Sequence, residues 1–134
     1  MSDLRAEVEQ LTARGDHRAA WGALATAMLA KPTSATCHLV SELIEMVDPV
    51  RAGLSGLRVA LLTNYTAVPL APVLTARALP WGLRLHTYVP AFNTWMQEIV
   101  DPGSELRRFE PQVVVLDLLP DLLVPALCRE FLSL

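Results

Sequence analysis

The side chains best suited to chemistry gather at two points of the chain. One is the polar run Thr63-Asn64-Tyr65-Thr66, which follows the apolar residues 57–62. The other is Asp117, which closes the run Val113-Val114-Val115-Leu116. Hydroxyls, an amide and a carboxylate could together bind a polar ligand, or activate a hydroxyl for attack if a base stood beside it. In open α/β sheets, ligands bind beyond the carboxyl ends of parallel strands, so both points fall where a site is expected.

Each familiar chemistry then meets an obstacle. A phosphate loop needs glycines after the first strand so that backbone N–H groups can cradle the anion. The turn at 63–66 has none. A phosphatase of the haloacid dehalogenase type needs two aspartates spaced Asp-x-Asp at a strand end, one as nucleophile and one as acid/base. Two residues after Asp117 stands Leu119, and the next acid is Asp121. Asp117 reads better as a cap of the following helix or as a partner of the Thr63 turn. A Ser-His-Asp site needs a base within reach of its nucleophile. Thr63, Thr66 and Ser104 carry hydroxyls, but His17 and His38 fall in the helical part and His86 falls mid-strand. A cobalamin-binding domain needs a histidine in the loop after its first strand, and residues 63–79 contain none.

What is left is a polar site with no catalytic residue assigned. Thr63, Asn64, Tyr65, Thr66, Asn93, Gln97, Ser104 and Asp117 supply donors and acceptors, and Phe92 and Trp95 an apolar wall. Asn93 reads more readily as a helix cap than as a ligand contact. Cys37 and Cys128 belong to no metal-ligand spacing and read as buried free thiols.

The elements that must position these residues follow from periodicity and punctuation. Residues 1–53 read as helices forming a cap or docking segment. Leu4, Val8 and Leu11 keep helical spacing, and Gly15 stops the first helix. Asp16 caps the second, which turns Trp21, Leu24, Ala25, Met28 and Leu29 to one face. Thr33 or Ser34 caps a third, with Leu39, Val40, Leu43, Ile44 and Val47 inward. Pro49 and Gly53 close the segment.

Residues 54–134 read as a small α/β domain, partly Rossmann-like. The first strand is 57–62. A helix over 68–79 follows, with Leu70, Val73, Leu74 and Ala78 inward, and the alternating run 83–89 forms the second strand. A helical loop at 91–100 and a turn capped by Ser104 lead to the third strand. Its unbroken apolar run predicts burial on both faces. Right-handed crossovers give a parallel sheet of order 2-1-3. Residues 120–132 read as a helix, with Pro125 kinking it or setting its start. Such a helix normally leads into a fourth strand, so the chain is expected to be the first part of something longer.

Composition narrows the class. With 52% hydrophobic and 19% charged residues in 134, this is a globular chain. A mean hydropathy of +0.35 predicts exposed apolar surface. A net charge of −3 argues against a nucleic-acid binder, which needs a basic face. The start has no secretory pattern, and no run reaches 18 uninterrupted apolar residues, so no membrane span is expected and a cytoplasmic protein is the default.

Residues 57–66 with Leu70-Ala71-Pro72-Val73-Leu74 resemble the amino-terminal domain of FkbH-like proteins. So do residues 92–106, from Phe92-Asn93-Thr94-Trp95 to Gly103-Ser104-Glu105-Leu106, and 109–116, Phe109-Glu110-Pro111-Gln112 leading into the third strand. The resemblance implies an SGNH-hydrolase-like domain ahead of a haloacid-dehalogenase-type domain, in a family that loads glyceryl units on acyl carrier proteins in polyketide-type biosynthesis. That second domain, with its Asp-x-Asp and magnesium, has no counterpart in these residues, so no cofactor is expected here. Thr63-Asn64-Tyr65 stands where a true SGNH hydrolase has a Gly-Asp-Ser-like turn. The expectation is a truncated or amino-terminal form that recognises an acyl carrier protein or another assembly-line partner, with an exposed apolar edge favouring a homo-oligomer. The enzymatic alternative is a transferase or hydrolase of an acyl or glyceryl thioester, acting at Thr63 and Ser104.

Overall fold

The computed structural model describes residues 2–124. Cys128, the helix expected on to Leu132 and the kink at Pro125 lie outside them. The fold is α/β, with a three-stranded parallel sheet of order β2-β1-β3, as the crossovers predict: β1 is Ser55–Thr63, β2 Leu83–Tyr88 and β3 Val113–Asp117. The chain divides into two compact units that interleave along the sequence. One comprises Met1–Leu57 and Pro69–His86, the other Arg58–Val68 and Thr87–Leu134.

The first unit is built on helices α1 (Ser2–Ala13), α2 (His17–Ala30), α3 (Ser34–Leu43) and α4 (Pro49–Ala52), with α5 (Leu70–Ala78) packed on α3. Their starts follow from side-chain caps. Asp16 accepts the Ala19 N–H at 3.0 Å and Thr33 Oγ1 accepts that of Thr36 at 3.2 Å. Gly15, at φ +77°, makes the left-handed turn between α1 and α2 that a side chain would strain. Pro49 opens α4 where the sequence suggested a close, because Asp48 caps it and a proline at the first helical position loses no hydrogen bond.

The core of this unit is Val8, Leu24, Val40, Leu43, Ile44 and Leu79, all fully buried, with Cys37 among them. Each large side chain removed from water contributes about 1.5–3 kcal/mol. The core draws Val73, Ala76 and Leu79 from the stretch after β1, so it does not end at residue 53. The inward face of α5 differs from the expected one. Thr75 and Ala76 are buried, whereas Leu70 and Leu74 are exposed. A small residue at the contact allows helix axes to approach closely, and the larger leucines then flank the seam. Trp21 fixes the end of α5 by donating its indole N–H to the Leu79 carbonyl at 2.9 Å. Arg84 of β2, nearly buried, pairs with Glu45 at 2.6 Å.

The second unit holds the carboxyl half of β1, β3, and the short helices α6 (Trp95–Val100), α7 (Glu105–Phe109) and α8 (Pro120–Leu123). Its core is Ala60, Leu62 and Leu106, with Tyr88 and Trp95 against them. The Tyr88 and Phe109 rings lie 5.5 Å apart at 33°. Pairing runs parallel from Val59↔Val113 to Thr63↔Asp117. Here β3 departs from expectation. Among the described residues it is an edge strand, and every residue in it is exposed, whereas β1 is buried from Val59 to Thr63. An unbroken apolar run identifies a strand suited to burial, but it does not supply the layers that would bury it.

Candidate functional site

The register places Thr63 beside Asp117, so the two polar points of the sequence meet at one sheet edge. Thr63 is buried, and its hydroxyl donates to the Tyr65 carbonyl at 2.7 Å, which tightens the turn after β1. Asn64 is also buried. Its amide donates to the Leu119 carbonyl at 3.0 Å and accepts the Leu119 N–H at 2.8 Å. The side chain therefore acts as a strand-like partner for the backbone after β3. Leu119 has no sequence signal for this role, since any residue offers the same backbone groups.

Tyr65 donates its hydroxyl to Asp117 Oδ2 at 2.5 Å. That bond, with burial and the charge of Asp117 added, holds the phenol above the ordinary tyrosine range. Asp117 thus bonds the turn after β1, as one of its two sequence readings has it. Its carboxylate is exposed and has acceptor capacity beyond a single bond. Thr66 is exposed next to this pair in sequence.

The residues of the 92–104 stretch have separate surroundings. Phe92 is 65% exposed and forms no wall, whereas Trp95 packs into the core. Asn93 takes a left-handed turn at φ +56°, which asparagine tolerates better than most residues. The cap position of α6 is Thr94, so Asn93 is a turn residue and not the expected cap. Gln97 is exposed. Ser104 is buried and caps α7. Its hydroxyl donates to the Glu98 carbonyl at 2.8 Å and accepts the Arg107 N–H at 3.3 Å. Glu98 in turn accepts the Leu106 N–H at 2.9 Å. Burial, with the Glu98 and Glu105 carboxylates adding to it, pushes the Tyr88 phenol up to about 12.

The arrangement presents a phenol–carboxylate pair on a buried amide clasp. Both hydroxyls of the thioester reading, Thr63 and Ser104, are engaged with backbone carbonyls. Among the described residues no three His, Cys, Asp or Glu side chains converge as a metal group would need. No helix of the described residues is long and apolar enough to cross a membrane. A groove of about 550 Å³ on α1 and α2 is lined by Leu4, Leu11, Ala19 and Ala23 among others, and by none of the expected site residues.

The fold is a small open α/β sheet with a polar cluster at the carboxyl ends of β1 and β3. No protein-family model matches the chain, and no curated protein matches it. A solved structure similar to it is the N-terminal part of the protein BF1531 from Bacteroides fragilis, described as containing a phosphatase domain and complexed with Mg. The likeness has a TM-score of 0.56 at 22% identity, and covers 64% of this chain and 21% of that one. It is a likeness of fold, and it spans about a fifth of the length of that solved chain.

Proposed function

We propose that this chain is a recognition domain related to the amino-terminal region of FkbH-like proteins. It engages an acyl carrier protein, or another assembly-line partner, during loading of a glyceryl-type unit. The observation that supports binding over catalysis is the engagement of the Thr63 and Ser104 hydroxyls with backbone carbonyls. Neither has a base as its hydrogen-bond acceptor, which an activated nucleophile needs. The fold likeness to part of a protein that contains a phosphatase domain supports a place beside such a domain, and the FkbH-like setting itself rests on the sequence resemblance. In that setting the phosphatase chemistry and its magnesium belong to a haloacid-dehalogenase-type domain, for which this sequence carries no Asp-x-Asp.

The surface offered to the partner is the Tyr65–Asp117 pair, with Thr66 beside Tyr65 in sequence. Titration of the purified chain with a phosphopantetheinylated carrier protein tests this, read by calorimetry. Saturable binding that weakens about tenfold in Tyr65→Ala or Asp117→Ala is expected, equivalent to about 1.4 kcal/mol. Absence of binding with carrier at millimolar concentration would refute it. Thioester turnover that falls in Thr63→Ala or Ser104→Ala, with the fold retained, would put the enzymatic reading in its place.

A further inference from the structure

The carboxyl ends of the strands carry charge of one sign. The segments that leave this edge are residues 64–68 after β1, 89–94 after β2 and 118–119 after β3. They hold no lysine, arginine or histidine, and the charge beside them is Asp117, with another acid, Asp121, next along the chain. The described arginines of the same unit are engaged elsewhere. Arg58 donates to the Glu110 carbonyl at 2.7 Å, Arg107 to the Ile99 carbonyl at 3.2 Å, and Arg108 pairs with Glu105. Among the described residues Asp117 forms no ion pair, and the Tyr65 hydroxyl is its hydrogen-bond donor. The carboxylate is also held in place. Asp117 ends β3 in register with Thr63, the Thr63 hydroxyl fixes the turn, and Asn64 clasps the backbone of Leu119. The Tyr65 bond takes one lone pair of Oδ2, so both carboxylate oxygens can still accept. With its proton committed to Asp117, the phenol has only acceptor capacity left.

We infer that the Tyr65–Asp117 pair receives one arginine side chain of a partner polypeptide, its guanidinium forked onto the Asp117 carboxylate beside the Tyr65 ring. The inference rests on the binding surface proposed above and names the group that surface takes. Charge is the first support, since an acidic pair made of acceptors attracts a cationic donor and repels phosphate or carboxylate. Shape is the second. A planar guanidinium matches both oxygens of a carboxylate and stacks on an aromatic ring, whereas an ammonium is a point charge with neither property. The surroundings are the third. Val68, Phe92 and Leu119, on the three segments leaving this edge, are 61%, 65% and 45% exposed. Arginine beside apolar contacts is what a protein interface brings, and a free cation would leave those side chains in water. Fixing the turn and the carboxylate in advance lowers the ordering cost of binding.

Nuclear magnetic resonance titration of the full chain with the peptide acetyl-Leu-Arg-Leu-amide tests this. Saturable shifts of the Tyr65, Thr66 and Asp117 amides are expected, with a Kd of about 1 mM for so small a probe. The peptide with citrulline for arginine keeps the shape and loses the charge, and should bind about tenfold more weakly, as loss of a hydrogen bond to a charged group predicts. Asp117→Asn keeps an acceptor for the Tyr65 hydroxyl, so the turn stays intact, and should weaken the arginine peptide to the same degree. Added salt should weaken it as well. No saturable shift with the probe at about ten times that Kd would overturn the inference. Equal binding of the citrulline peptide, or full binding to Asp117→Asn, would overturn it too. Carrier binding that Asp117→Ala weakens, with no response to the arginine peptide, would keep the surface and reject the guanidinium. Arginine binding without carrier binding would keep the inference and reject the carrier as partner.

Discussion

Asn64 closes the turn after β1 with a side chain that pairs twice with the Leu119 backbone. Replacement by alanine leaves a buried gap and two backbone groups without that partner. Asn64→Ala should lower the unfolding free energy by about 1–3 kcal/mol, measured by urea denaturation. Tyr65 and Tyr88 are the two tyrosines of the chain, and both phenols lie above their ordinary range. A raised acid pKa means that the folded state holds its proton longer than the unfolded one. The stability contributed by Tyr88 is present below pH 10 and falls as pH rises from 10 to about 12. Alkaline titration of the tyrosinate absorbance should show native ionisation shifted upward from that of the unfolded chain. Tyr65→Phe should leave a single step near 12. A native midpoint at the ordinary value would contradict the Asp117 and burial effects. The polar types at the strand ends are legible in the sequence. That Ser104 is a cap is legible too, whereas the engagement of Thr63 with its own turn depends on backbone geometry.

At the level of elements, short polar side chains set the helix starts, and these are the most legible features of the sequence. Asp16, Thr33 and Ser104 cap α2, α3 and α7 as their spacing predicts. Ser104→Ala should cost about 1 kcal/mol of stability through the lost cap of α7, seen as a lower denaturation midpoint. The strand order is equally legible, because crossover handedness leaves few choices. Two things are not. The phase of α5 depends on how closely it approaches α3, so the seam falls on Ala76 and the leucines flank it. The exposure of β3 depends on what lies against it, and a run of valines reads alike whether covered or bare.

For the whole molecule, the interleaving of its two cores matters most. The first unit takes residues from both sides of β1, so residues 1–53 alone lack Val73, Ala76 and Leu79. A fragment of residues 1–53 should show a large loss of helical circular dichroism per residue compared with α1–α4 in the full chain. Leu24→Ala, at the centre of the same core, should cost about 2–5 kcal/mol. The mean hydropathy that predicts exposed apolar surface finds its counterpart in β3, Phe92 and Val100.

Cys37, on α3 in the centre of the helical core, is 2% exposed. A thiol so enclosed reacts with a labelling reagent only when the core around it opens. With Cys128→Ser removing the other cysteine, the alkylation rate of the chain becomes a clock for that opening. It reads the helical unit alone, without a probe having to be installed.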